Sequence, residues 1–126
     1  MLYLDRHTVR EILGSAAQAT SLRNEVINHN IANAQTPGFN RSIVEFEEYL
    51  QQELAMAHRG REINLQNTRP RISTSNEISA TRMDGNNVDI ELEMAALFQN
   101  ATRYEALLLS MINNSMRIDT VLNANI

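Results

Sequence analysis

The last third of the chain contains a heptad-like run, which limits the possible folds more than any other pattern in the sequence. Apolar or small residues recur there at spacings of four and three: Ile90, Met94, Leu97, Ala101, Tyr104, Leu108, Met111, Ser115, Ile118 and Leu122. Such spacing aligns one face of a helix. Asp89 is placed to cap the first turn, and Glu91 and Glu93 suit the positive end of the helix dipole. We therefore predict a helix over 89–126, which would be ~50 Å long at ~1.5 Å per residue.

The first third of the chain carries a second amphipathic pattern. Between about residues 8 and 33 the spacing of four and three is kept by Leu13, Ala17, Thr20, Asn24, Ile27, Ile31 and Ala34. This seam buries little apolar area, so the helix should need partners. Pro37 and Gly38 then end the helix, because Pro37 disfavours the helical conformation before it and Gly38 supplies the positive φ of a type II turn.

The middle of the chain is more polar. Ile43, Phe46, Leu50 and Leu54 predict a short second helix over 42–58. Residues 59–84 contain Gly60, Pro70 and isolated apolar residues, which indicate a loop with at most a short strand pair. Four arginines make this loop locally basic, so it is either a solvated loop or a contact with an acidic partner surface or cell-wall polymer: Arg59, Arg61, Arg69 and Arg71.

These patterns predict an all-α fold in a single domain. A long N-terminal helix and a long C-terminal helix would flank a short second helix and a largely irregular middle loop. The domain would comprise the first helix and its exit (1–36), the turn, short helix and polar loop (37–88) and the heptad helix (89–126). Four asparagines on the last helix are poor helix formers that either find partners in a crowded assembly or are simply tolerated: Asn100, Asn113, Asn114 and Asn123.

Composition and spacing argue against chemistry at an active site. The chain has no cysteine, and His7, His29 and His58 lack the spacing of a metal site. The serines and four glycines form neither a nucleophile elbow nor a phosphate-binding loop. The net charge of −4 argues against nucleic acid as a partner. We expect no catalytic residues, no cofactor, no metal and no small-molecule substrate. We also expect no membrane insertion, because no apolar stretch approaches ~20 residues. We expect no cleaved signal peptide, because a secretory peptide would need an unbroken apolar segment where this chain has Asp5, Arg6, His7, Arg10 and Glu11.

Two motifs resemble a known family. The run Asn30-Ile31-Ala32-Asn33-Ala34-Gln35-Thr36-Pro37-Gly38-Phe39 is similar to the N-terminal signature of flagellar axial proteins, the rod and hook families. The run Asp84-Gly85-Asn86-Asn87-Val88-Asp89, followed by Glu93-Met94-Ala95 and Arg103-Tyr104, resembles the proximal rod family FlgB more than FlgC, FlgF or FlgG. Gln35 and Asn40 depart from the commoner acidic and basic residues, which weakens any ion pair at those positions.

The resemblance implies a structural subunit of the bacterial flagellar basal body, in the rod that crosses the periplasm. The resemblance also implies that the long N- and C-terminal helices pair as a coiled-coil-like bundle. These helices would pack with those of neighbouring subunits into a hollow, tube-like drive shaft required for motility. The implied partners are other copies, other rod proteins, the membrane-ring adaptor protein at the rod base and the flagellar type III export apparatus. The implied subunit-interface residues are Asn30, Asn33, Thr36, Pro37, Gly38, Phe39, Ile90, Met94, Leu97, Tyr104, Leu108, Met111 and Ile118. Of these, Ile90, Leu97, Tyr104, Leu108 and Met111 would form the seam of the helix pair.

Early rod and hook subunits of this kind carry a Phe-x-x-x-hydrophobic docking signal for the export gate. Both Phe39 to Ile43 and Phe46 to Leu50 fit it, and we take Phe46 and Leu50 as the candidate signal. The chain would travel unfolded, and its termini would stay partly disordered until assembly.

A soluble helical adaptor or export chaperone that binds a partner helix is the alternative. It would explain the heptad run but not the Thr36-Pro37-Gly38 corner after Asn-Ile-Ala-Asn. An adaptor should fold and dimerise alone, whereas a rod subunit should stay monomeric until its partners arrive. A small enzyme or lytic accessory factor would need convergent polar residues, which the sequence does not offer.

Overall fold

The computed structural model describes residues 2–77 and 82–124, with only the backbone described at 118, 121 and 122. Along the described chain the elements are helix α1 (Arg6–Ala32), strand β1 (Ser42–Glu45), helix α2 (Glu47–His58), a 3₁₀ helix (Leu65–Thr68), strand β2 (Arg71–Thr74) and helix α3 (Ile90–Ala124). The described part is therefore mostly helical, as expected, with a small antiparallel sheet added to it.

Local signals fix both ends of α1. Asp5 caps its start, where Oδ1 accepts a hydrogen bond from the Thr8 backbone N–H at 2.6 Å. The predicted corner follows its end: the Phe39 N–H donates to the Thr36 carbonyl at 3.2 Å, and Gly38 has φ +71°. A positive φ is nearly free for glycine and costly for other residues, which is why the corner needs glycine there.

The second helix begins later than predicted. Residues 42–45 form strand β1, which pairs with β2 in the register Ser42 to Thr74 and Val44 to Ile72, and α2 starts at Glu47. The prediction of a helix from Ser42 was wrong because Ile43 and Val44 are β-branched and favour a strand once one can form. The pairing strand lies in the segment predicted as a loop, so the middle of the chain is less irregular than expected.

Helices α1 and α3 pack against each other in antiparallel directions. Asn30, near the end of α1, lies beside Glu93, and Thr20, in the middle of α1, lies beside Asn100. Asp89 caps α3 as predicted, since its Oδ1 accepts from the backbone N–H groups of the next turn at 3.0 and 3.2 Å.

The face that α3 turns toward α1 differs from the predicted seam. Glu93 and Asn100 are buried there, at 1% and 4% exposure. Of the α3 residues predicted at the subunit interface, Leu97 and Met111 are half-buried, whereas the others whose side chains are described are 39–43% exposed: Ile90, Met94, Tyr104 and Leu108. The side chain of Ile118 lies outside the described residues. The inward face is thus rotated onto a neighbouring row, because polar contacts rather than apolar ones select it.

The apolar core lies between α1, β1 and the start of α2. Ala19, Val26, Val44 and Phe46 are buried together, and Ala16, Leu22 and Leu50 pack against them. All of these residues lie in α1, β1, α2 or the junction between β1 and α2, so α3 contributes little to this cluster. No helix in the described parts of the chain is long and apolar enough to cross a membrane.

Candidate functional site

Asn86 joins the two family-like motifs at a buried contact. Its side chain is 1% exposed, and Nδ2 donates to the carbonyls of Asn33, Ala34 and Thr36 at 2.9, 3.1 and 2.8 Å. Its Oδ1 accepts from the Val88 N–H at 2.8 Å. One amide side chain therefore holds the exit of α1 against the segment that leads into α3. We call this contact the corner clasp.

Asn87 extends the clasp to the sheet. Its Nδ2 donates to the carbonyls of Ser75 and Glu77 at 3.1 and 3.0 Å, and its Oδ1 accepts from the Arg41 N–H at 2.6 Å. Its own N–H donates to the Phe39 carbonyl at 3.3 Å. The two neighbouring asparagines thus bind different partners. Asn87 connects the segment before β1 and the segment after β2 to the turn that contains both asparagines.

Backbone contacts complete the clasp. The Gly38 N–H donates to the Asp84 carbonyl at 2.7 Å, and a Cβ added at Gly85 would lie 3.6 Å from the Gly38 Cα. Arg82 donates to the Ala34 carbonyl at 2.7 Å and contacts the Asp84 carboxylate at 3.2 Å. The backbone of the turn at Gly38 therefore lies directly against the backbone of the turn at Asp84 and Gly85.

A buried polar network lies one turn before the corner clasp, at Asn30 of α1. Asn30 is fully buried and exchanges two hydrogen bonds with the Ser42 backbone, at 2.8 and 2.9 Å. Its Nδ2 also reaches Glu93 Oε2 at 3.4 Å, and Arg41 Nε donates to Glu93 Oε1 at 2.6 Å. A buried carboxylate is tolerated only when it is paired and hydrogen-bonded, and this one is both. The network links α1, β1 and α3.

A second ion pair links α1 to α2. The two terminal guanidinium nitrogens of Arg23 donate to the two carboxylate oxygens of Glu47, at 3.1 and 2.8 Å. Arg23 also donates to the Val44 carbonyl at 3.2 Å. Arg103 of α3 lies 3.8 Å from the same carboxylate. Burial raises the pKa of Glu47, but the hydrogen bonds and charge of Arg23 and the charge of Arg103 outweigh it and hold that pKa below its ordinary value.

The side of α3 next to its α1-facing row is apolar and uncovered. Eight large apolar side chains, each 39–72% exposed, line it, and Ala101 lies in the gap between them. We call them the apolar stripe: Ile90, Met94, Phe98, Tyr104, Leu108, Leu109, Ile112 and Met116. Scattered apolar residues are normal on a protein surface, whereas a contiguous set of this length marks an interaction surface.

Asn100 leaves one polar atom unused at the border of the stripe. Its Nδ2 donates to the Thr20 carbonyl at 2.7 Å, and its buried Oδ1 accepts no hydrogen bond from the described residues. A cavity of about 220 Å³ lies beside it, between Ser21 and Asn24 of α1 and Tyr104 of α3. Packing against α1 thus accounts for Asn100, while Asn113 and Asn123 are exposed.

The corner residues predicted as interface fall into two groups. Asn30 and Asn33 contact the chain's own network and clasp. Thr36, Pro37 and Gly38 are exposed, although the backbone of Thr36 and Gly38 also belongs to the clasp. Phe39 is half-buried, with its ring centre 5.7 Å from that of His29. Of the candidate export signal, Phe46 is buried in the core at 4% exposure and Leu50 is half-buried beside it.

Sequence reasoning missed the structural roles of Asn86, Asn87 and Glu93. It treated the asparagines as turn residues and Glu93 as a first-turn carboxylate, which are local roles. Each of these three residues has a partner far away along the chain. Asn87 and Arg41 are 46 residues apart, and Glu93 and Asn30 are 63 residues apart. The described residues contain no group of three or more His, Cys, Asp or Glu that could hold a metal ion.

The curated relatives of this chain share one name. No protein-family model matches the chain. It is 31% identical over 115 residues to the flagellar basal body rod protein FlgB of Bacillus subtilis (strain 168), covering 87% of this chain and 89% of the relative. It is 38% identical over 98 residues to FlgB of Borrelia hermsii, covering 67% and 73%, and 32% identical over 105 residues to FlgB of Proteus mirabilis (strain HI4320), covering 71% and 77%. On this similarity, the chain belongs to the flagellar basal body rod protein FlgB family.

Proposed function

We propose that this chain is a structural subunit of the proximal rod of the bacterial flagellum, and that it assembles through its terminal helices and has no enzymatic activity. Family membership supports the rod, and the apolar stripe on α3 supports assembly. A helix with one row against α1 and a second apolar row in water is stable in an assembly that covers the second row.

Two surfaces are the candidates for subunit contact. The first is the apolar stripe, which contains four of the predicted interface residues and is flanked by Leu97 and Met111. The second is the outer side of the corner at Thr36, Pro37 and Gly38, whose shape the corner clasp holds from inside. Other copies of this chain, other rod proteins and a membrane-ring adaptor at the rod base are the proposed partners.

Export through the flagellar type III apparatus, without cleavage of a signal peptide, would deliver the subunit to a rod that crosses the periplasm. If Phe46 and Leu50 are the docking signal, the export gate must bind them before folding, because the folded chain buries Phe46 among Ala19, Val26 and Val44. Premature folding should therefore reduce export.

Gene deletion and complementation test the proposed function. Deleting the gene should remove swimming and leave basal bodies with a membrane ring but no rod, hook or filament in electron micrographs. The chain should also be present in purified basal bodies from the wild type. An export chaperone or adaptor would stay inside the cell. If this chain is absent from purified basal bodies that contain a complete rod, the proposal is contradicted.

A further inference from the structure

The charged side chains on the exposed sides of α3 are sorted by sign. Arg103 and Arg117 lie on one side of the helix, and Glu105 and Asp119 lie on the other, on the same side as the apolar stripe and among its residues. All four residues are exposed. Because each residue turns an α-helix by about 100°, side chains two positions apart point to nearly opposite sides. An arginine and the carboxylate two residues after it therefore do not pair within one helix.

The spacing of the two pairs is the same. Arg103 and Arg117 are separated by the same 14 positions as Glu105 and Asp119. Fourteen residues are close to four turns, so each pair lies on one side of the helix about 21 Å apart. A basic edge and an acidic edge with equal spacing are complementary between two parallel copies of α3, and they cannot satisfy each other within one copy.

We infer that neighbouring copies of this chain pack with their α3 helices parallel and nearly in step, so that Arg103 and Arg117 of one copy lie opposite Glu105 and Asp119 of the next. The inference rests on the proposed rod function and specifies the partner of the apolar stripe as a second copy. Each copy uses one edge for one neighbour and the opposite edge for the other. Such a head-to-tail contact repeats from subunit to subunit, as a ring or helical array requires.

The same arrangement covers the apolar stripe. The stripe lies on the side of Glu105, so the edge of the next copy that approaches this carboxylate also covers the stripe. That edge carries the arginines together with Ala106 and Ser110. Arginine stems cover apolar surface while their guanidinium groups bind the carboxylates among the stripe residues, and small residues permit close approach.

Two other arrangements of second copies fit the charges less well. An antiparallel pair of stripes would bring Glu105, near the middle of α3, close to Glu105 of the other copy, and like charges would repel. A parallel pair shifted by about 12 residues, or ~18 Å, would place Arg103 opposite Glu91 and Arg117 opposite Glu105. This shift would leave about a third of the helix overlap, and the apolar stripe within it, uncovered.

Charge reversal at the end of α3 tests the inference. We use Arg117 because Arg103 also contacts Glu47 within its own chain. Arg117→Glu and Asp119→Arg, expressed singly in the deletion strain, should each reduce swimming and the number of complete rods several-fold. The double variant R117E/D119R should restore both, because every interface then carries the reversed pair. Arg117→Lys, which keeps the charge, is the matched control and should swim normally.

The outcomes separate the inference from the proposed function. If wild-type complementation restores swimming but R117E and D119R both swim normally, the ion pairs are absent and the inference is overturned, while the rod function stands. If R117E is rescued by Glu105→Arg and not by D119R, the shifted arrangement replaces the one inferred here. If no second-site change in this chain rescues R117E, although circular dichroism gives a wild-type fold, the partner of this edge is a different protein.

A crosslinking experiment gives an independent readout. The chain has no cysteine, so single cysteines can be placed without background. Cells that express an Arg117→Cys chain together with an Asp119→Cys chain should yield crosslinked dimers in purified basal bodies after treatment with a short bismaleimide. Each variant alone should yield far fewer dimers. Equal yields from one variant alone would overturn the parallel, in-step arrangement.

Discussion

Replacing Asn86 tests whether the corner clasp holds the fold together. In Asn86→Ala, the buried Val88 N–H loses its acceptor, which costs about 1–3 kcal/mol, and the lost donor bonds add about 1 kcal/mol. The three carbonyls at Asn33, Ala34 and Thr36 keep other donors, so they do not add a full penalty each. We therefore expect the free energy of unfolding to fall by about 2–4 kcal/mol.

The assay is urea unfolding of the purified chain, followed by far-UV circular dichroism. Asn86→Asp is the informative companion, because it keeps the shape and the acceptor for Val88 but sets a carboxylate against carbonyl oxygens. We expect it to be at least as destabilising as the alanine variant at neutral pH. Asn113→Ala, at an exposed position of α3, is the matched control and should change stability by no more than about 0.5 kcal/mol. A value within that range for Asn86→Ala would refute the reasoning.

Three further changes test other parts of the structure. Gly38→Ala should lower the free energy of unfolding by about 1–2 kcal/mol because of its positive φ, whereas Gly14→Ala, inside α1 with open space around the added Cβ, should raise it by up to about 1 kcal/mol; equal effects in urea unfolding would contradict this. Backbone and side-chain hydrogen bonds hold the pKa of Glu53 below its ordinary 4.5, so its stabilisation is present above pH 4.5 and is lost as the pH falls through the lowered pKa. In unfolding curves measured at several pH values, Glu53→Gln should therefore reduce the loss of stability at acidic pH. A similar effect from Glu62→Gln, at an exposed position, would argue against this role of Glu53. Leu108→Asp should lower the free energy of unfolding by about 1–2 kcal/mol, because the covered part of Leu108, which is 39% exposed, loses its apolar burial. It should also abolish swimming, and normal swimming would count against the apolar stripe as an interface.

Sequence signals were reliable where the controlling contact is local. The cap at Asp89 acts on the turn that follows it, and the corner at Pro37 and Gly38 depends on the backbone preferences of those two residues. Strand β1 was missed because its stability comes from β2, about 30 residues later, and from the side chain of Asn30, which holds both backbone groups of Ser42. Spacings of three and four through Ile43 and Phe46 predicted a helix because periodicity contains no information about such distant partners.

Local sequence patterns were enough to predict the two long helices, the sharp turn between α1 and the middle segment, and the family that the motifs resemble. Which row of α3 faces α1 depends instead on contacts between distant parts of the chain. A hydrophobic pattern predicts that apolar residues face inward, but Glu93 and Asn100 take that place because Arg41, Asn30 and the Thr20 carbonyl are there to pair with them. Burying a polar side chain is unfavourable until its partners are in position, and those partners come together only when the chain folds. The apolar residues are consequently left on the outer row, where a neighbouring subunit can cover them.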